Sequence, residues 1–232
     1  MTRLLTICLA VLALTACEIQ TVPAPTGDAP QRPAPQPVGG GTSPAAFRAV
    51  VDRVEPVAES VCRERSRSLN CDFAIFVEES DVANAFQTYN RRGQPVIVFT
   101  TALFAEMRNR DELAFALAHE AAHHIEGHIA QTQRSAQTGA LLGVLAGSLA
   151  GLDAQGVSQI ADIGGTIGAR RYSKGFELEA DSLGAIITQR AGYDAVRGVQ
   201  YFARAADPGD RFLGTHPPNA DRIAAVRRTL GQ

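Results

Sequence analysis

The run Asn109-Arg110-Asp111-Glu112-Leu113-Ala114-Phe115-Ala116-Leu117-Ala118-His119-Glu120-Ala121-Ala122-His123 decides how the chain is read. Asn109 can cap a helix, and Glu112 follows three residues later as in a capping box. Leu113 to Ala122 then contains no glycine or proline to break the helix. Residues four apart share one helix face, so His119 and His123 can grip a single ion together. Zinc suits two imidazoles and a carboxylate at tetrahedral positions and keeps a fourth position for water. Glu120 lies about 100° round the helix from His119, close enough to serve that water as general base.

The third ligand is not local. A longer motif with Gly at 126 and His at 129 would supply it from the same segment, but those positions hold Glu126 and Ile129. On a continuing helix His128 would point about 180° from His119, and His124 faces sideways, so both read as structural or surface residues. A carboxylate must come from a second helix, and Glu177-Leu178-Glu179-Ala180-Asp181 is the best candidate. Glu177 and Asp181 share a face there, whereas Glu179 points nearly opposite. Glu177 is thus expected to bind the metal and Asp181 to accept an N–H from a ligating histidine, fixing its ring.

These pieces, with Thr215-His216-Pro217-Pro218 near the end, resemble the HtpX and CAAX-prenyl-protease family of HExxH zinc endopeptidases, the gluzincins. Within it the chain is most similar to the short periplasmic lipoprotein type, of the kind of the BepA protease domain. Asn84-Ala85-Phe86, His128, Tyr172-Ser173 and Ala191-Gly192-Tyr193-Asp194 also match, so the likeness runs from about 47 to 228. Lys174 stands where the family often has Arg. The resemblance implies one zinc per chain held by His119, His123 and Glu177, with Glu120 as base and proton shuttle. It also implies His216 as donor to the tetrahedral oxyanion, or as a fourth ligand in a resting form; Tyr172, Tyr193 and Tyr201 are weaker candidates for that donor. The implied fold is α+β, a mostly helical zincin-like domain with a small sheet over the HExxH helix.

Other segments set the context. Arg3 precedes the apolar run Leu4 to Leu14, which has the length of a signal-peptide core and is too short to span a bilayer. Leu14-Thr15-Ala16-Cys17 looks like a bacterial lipobox, which makes 1–16 a signal peptide and Cys17 the lipidated residue. Glu18 after the cysteine favours the outer membrane, facing the periplasm, over the inner one. Seven of the twelve prolines fall in 17–44, ahead of and just after Gly39-Gly40-Gly41, so that stretch is a semi-rigid tether. Cys62 and Cys71 remain for the folded part in an oxidising compartment, and a disulfide between them is expected.

From 45 to 232 the chain is long enough for one domain. Phe47, Val50, Val51, Val54, Val57, Ala58 and Val61 mark an opening amphipathic helix. Phe73–Val77 and Val96–Thr100 read as strands, with Arg92-Gly93-Gln94-Pro95 turning before the second. Strand 96–100 is expected above the metal helix with an exposed edge that receives substrate. Glycine-rich 139–169 fits either two helices packed through small residues or a mobile lid.

A net charge of −2 and the absence of tryptophan give no basis for nucleic-acid binding. The expected activity is hydrolysis of peptide bonds in cell-envelope proteins, in protein quality control. The competing expectation is a mainly chaperone-like envelope lipoprotein that keeps zinc for structure. Partners are then envelope proteins or peptides, and the membrane through the lipid; the oligomeric state is not legible.

Overall fold

Ser43 starts the first helix: its Oγ accepts the Ala46 N–H at 3.1 Å, and Pro44, whose φ is already helical, follows it. The computed structural model describes residues 43–171, 173–205 and 217–232. The signal segment, Cys17, most of the tether, Tyr172 and His216 lie outside them. Helix α1 (Pro44–Arg65) buries Phe47, Val50, Val54, Ala58 and Val61 along one stripe. At its end Cys62 is disulfide-bonded to Cys71, with Cα atoms 5.7 Å apart.

Three strands follow: β1 (Ala74–Glu78), β2 (Ala85–Tyr89) and β3 (Pro95–Thr100), in the sheet order β1-β3-β2. β3 runs parallel to β1, with Ala74 opposite Val96, and antiparallel to β2, with Ala85 opposite Phe99. Gly93, at φ 76°, makes the turn between β2 and β3. The expectation of an exposed edge on 96–100 is therefore wrong. β3 is hydrogen-bonded on both sides, and its near-continuous run of β-branched and aromatic residues is that of a buried central strand. Among the described residues, the open edge near the metal helix belongs to β2.

The remaining described elements are helical: α2 (Thr101–Glu106), α3 (Arg110–Ile125), α4 (His128–Leu149), α5 (Ala154–Arg171), α6 (Ser173–Arg190), α7 (Ala195–Gly198), a 3₁₀ turn at 199–203, and α8 (Asn219–Thr229). Helix α3 is the hub. Leu113, Leu117, Ala118, Ala121 and Ala122 are wholly buried against α1, α6 and the sheet. Each buried leucine stabilises by roughly 1.5–3 kcal/mol, and the alanines let neighbouring backbones come close. The protein is thus an α+β, mostly helical domain with a three-stranded sheet beside α3.

Helices α4 and α5 form an antiparallel hairpin whose contact is made of glycine. A Cβ on Gly139 would lie 2.1 Å from the Gly164 carbonyl oxygen, and one on Gly143 would lie 2.4 Å from that of Ile160. Small residues at 139–169 therefore serve close helix packing.

Candidate metal centre

Helix α3 is held in place by its first turn. Asn109 Oδ1 accepts the N–H groups of Asp111 and Glu112, both at 3.0 Å. Glu112 folds back as a capping box does, but it takes the Arg108 N–H at 2.8 Å and a two-pronged pair from Arg204 at 2.9 and 2.8 Å. Helix α6 meets α3 at Gly184, where a Cβ would lie 3.1 Å from the His119 backbone. That close approach brings the Glu177 end of α6 over the two histidines.

Three side chains converge there. His119 Nε2 lies 3.0 Å from His123 Nε2 and 3.5 Å from Glu177 Oε2, and His123 Nε2 lies 3.4 Å from Glu177 Oε1. Donors 2.0–2.1 Å from zinc at tetrahedral angles sit roughly 3.3 Å from one another, so these spacings fit a single ion of that size. The chemistry of the set fits as well: two imidazoles and a carboxylate, and no other such group occurs among the described residues.

Around them, each ring has its outer nitrogen engaged. His119 Nδ1 donates to Asp181 Oδ1 at 3.0 Å, which turns Nε2 towards His123 and Glu177; Arg222 Nη2 also lies 3.3 Å from that Nε2. Asp181 is fully buried and also accepts Arg222 Nε at 2.8 Å and Nη2 at 2.7 Å, while the Arg222 guanidinium lies over the Phe202 ring at 3.6 Å. Burial would raise the Asp181 pKa, but hydrogen bonds from Arg222 and His119 outweigh it and hold the carboxyl below its usual range. Burial likewise opposes charge on His119, yet Asp181 and Glu177 push its pKa up to about 9. The carboxylates thus make the centre strongly attractive to positive charge.

The second ring is oriented differently. His123 Nδ1 lies 2.9 Å from His128 Nδ1, and His128 Nε2 lies 3.1 Å from Glu179 Oε2. Glu179 accepts the His128 Nε2–H, so His128 Nδ1 accepts from His123 Nδ1–H, and the His123 Nε2 lone pair faces Glu177. His128 is 3% exposed and stacks on Phe176, with centroids 4.4 Å apart. Neither His128 nor Glu179 was assigned a place at the centre from spacing alone. Gly127, at φ 69°, breaks the helix before His128 and turns it back towards His123. His124 is a packing residue: its Nε2 donates to the Asn70 carbonyl at 2.8 Å, and its Nδ1 accepts from the Tyr89 hydroxyl at 3.2 Å. Burial lowers its pKa.

A cleft of about 460 Å³ opens over the three side chains. Its rim includes Asn84 to Gln87 on the free side of β2; Phe115, Met107 and Phe202 line it with apolar surface, and Glu120 faces into it beside His119. Tyr201 lines the cleft with its hydroxyl donated to Glu106 at 2.6 Å. Tyr193 instead donates to the Ala49 carbonyl at 3.4 Å and does not line the cleft. From α4 only Ile129 reaches it, so the glycine-rich hairpin is not part of the described wall.

A helix bearing two histidines, a glutamate from a second helix and a strand edge beside them define the metallopeptidase class. Residues 46–230 match peptidase family M48, and the chain belongs to that family of metal-dependent peptidases. A search of curated proteins finds no match.

Proposed function

We propose that the protein is a zinc-dependent endopeptidase that cleaves extended segments of cell-envelope proteins, in protein quality control, while tethered to the outer membrane through Cys17. The observation that carries the catalytic part is the convergence of His119, His123 and Glu177 under an open cleft bordered by a free strand edge. Among the described residues three protein donors converge rather than four, which supports catalysis over a purely structural metal. Bound Zn²⁺ would polarise the scissile carbonyl and acidify a neighbouring water. Glu120 takes the proton of that water and returns it to the leaving amine. The backbone of β2 pairs with a substrate segment in extended form and sets its register across the metal. The pocket at Phe115, Met107 and Phe202 receives an apolar side chain next to the cleaved bond. His216 serves the oxyanion as donor, or closes the site as a resting ligand. Asp181 and Arg222 hold the His119 ring, and His128 and Glu179 hold that of His123.

The test is Glu120→Gln. Purified variant and parent are compared for zinc content and for cleavage of casein. The variant should keep its zinc and lose cleavage by a factor of about 10²–10⁴, the usual contribution of a positioned base. Undiminished cleavage would overturn the mechanism.

A further inference from the structure

The domain does not scatter its solvent-exposed hydrophobic side chains. Of twelve large exposed ones among the described residues, eight lie between Leu141 and Ile167, on the α4–α5 hairpin. Leu142, Leu145 and Leu149 repeat at steps of three and four along α4 and are 61%, 56% and 80% exposed. Ile160, Ile163 and Ile167 repeat in the same way along α5, and the last two are 54% and 44% exposed. The contacts of Gly139 with Gly164, Gly143 with Ile160, and Gly147 with Val157 fix which sides of the two helices meet. Successive residues turn by about 100°, so in an antiparallel pair both rows fall on one side of the hairpin. Gln137, Ser148 and Asp162 fall on the other, with Val144, which is 40% exposed.

The hairpin carries little charge. No Asp, Glu, Lys or Arg occurs from Ser135 to Leu152, and the sequence has arginine at 134, 170 and 171, where the hairpin begins and ends. Asp153 at the tip is committed to capping α5, accepting the Gly156 N–H at 2.8 Å. A monomer rarely leaves a contiguous apolar face of this kind uncovered.

We propose that this face lies in the surface of the phospholipid bilayer that holds the N-terminal lipid. The leucines and isoleucines sit at the headgroup–acyl boundary, with Arg134 at the root beside anionic phosphates. The proposal rests on the lipoprotein reading above: a tether over 17–43 reaches at most roughly 80 Å at about 3.1 Å per residue, which keeps the domain at the membrane. No helix among the described residues is long and apolar enough to cross a membrane, so the hairpin lies in the interface rather than through it. Two attachments, lipid and hairpin, orient the domain on the bilayer as one alone does not.

The chain contains no tryptophan, which makes single-tryptophan probes clean. Full-length lipidated chains carrying Leu145→Trp, Ile163→Trp or, as control, Val82→Trp in the exposed β1–β2 loop are reconstituted into vesicles. These hold equal parts of zwitterionic and anionic phospholipid, brominated on the acyl chains. Flotation of each sample reports the lipid anchor independently. At 145 and 163 emission should fall by at least about half, since an interfacial helix buries its apolar face roughly 5–10 Å deep, while the control keeps its emission. Unquenched emission at all three sites in a floating chain overturns the proposal and leaves the anchor standing. Blue-shifted, unquenched emission at 145 and 163, with self-crosslinking, means that a second copy covers the face and overturns it too. A chain that does not float removes the anchor reading, and the proposal with it.

Discussion

His123 presents its Nε2 lone pair to the centre because His128 and Glu179 occupy the far side of its ring. His128→Ala leaves that ring free to turn, and zinc affinity, measured by chelator competition, should weaken about 10–100-fold with the fold intact. Unchanged affinity would reduce His128 to packing. The His119–His123 pair was legible because a helix turns four-residue spacing into a shared face; Glu120 followed from the same geometry. His128 was not, since its position depends on a single left-handed residue, Gly127, that takes the chain off the helical path. His124 makes a separate, pH-dependent contribution. Its pKa is lowered by burial, so the stability it supports is present above the unfolded value of about 6.5 and declines as pH falls below it. Thermal unfolding of the wild type between pH 7 and 5 should therefore show a steeper loss than that of His124→Asn; equal slopes would contradict the assignment.

Between elements, the distance that matters is that of α6 from α3. Gly184 sets it by placing no side chain against the His119 backbone. Alanine there gains about 1 kcal/mol of helix propensity, yet its methyl group meets main-chain atoms that cannot turn aside. Gly184→Ala should lift Glu177 from the histidines and weaken zinc binding by about tenfold, while overall helicity stays the same. Wild-type affinity would mean that the two helices separate without cost to the site. Helix α6 and two of its three carboxylates were legible from spacing, since Glu177 and Asp181 fall one turn apart. Strand β2 was not read as a strand: Ala85-Phe86-Gln87-Thr88-Tyr89 is short, mixed in polarity and half-buried. Its edge position, and the central place of β3, follow from a parallel β1–β3 pairing between distant segments, and such pairing leaves no local trace in sequence.

At the scale of the molecule, fold class and family were readable because the motifs lie on strongly patterned helices, whereas the orientation of the hairpin needed the packing of its glycines. The bond between Cys62 and Cys71 closes the connection from α1 to the sheet. Replacing both by Ala should lower stability to denaturant by about 2–3 kcal/mol, with zinc content unchanged, because a short loop is released in the unfolded chain. A loss of zinc would show that the bond acts on the centre rather than on the scaffold. The whole account turns on Glu177 crossing from α6 to complete a site begun on α3. The most direct measurement is zinc stoichiometry by elemental analysis of Glu177→Ala beside the wild type, with peptide cleavage followed on the same samples. One zinc per wild-type chain, and loss of both metal and cleavage in the variant, is the predicted result. A variant that holds its full zinc and still cleaves would contradict the account.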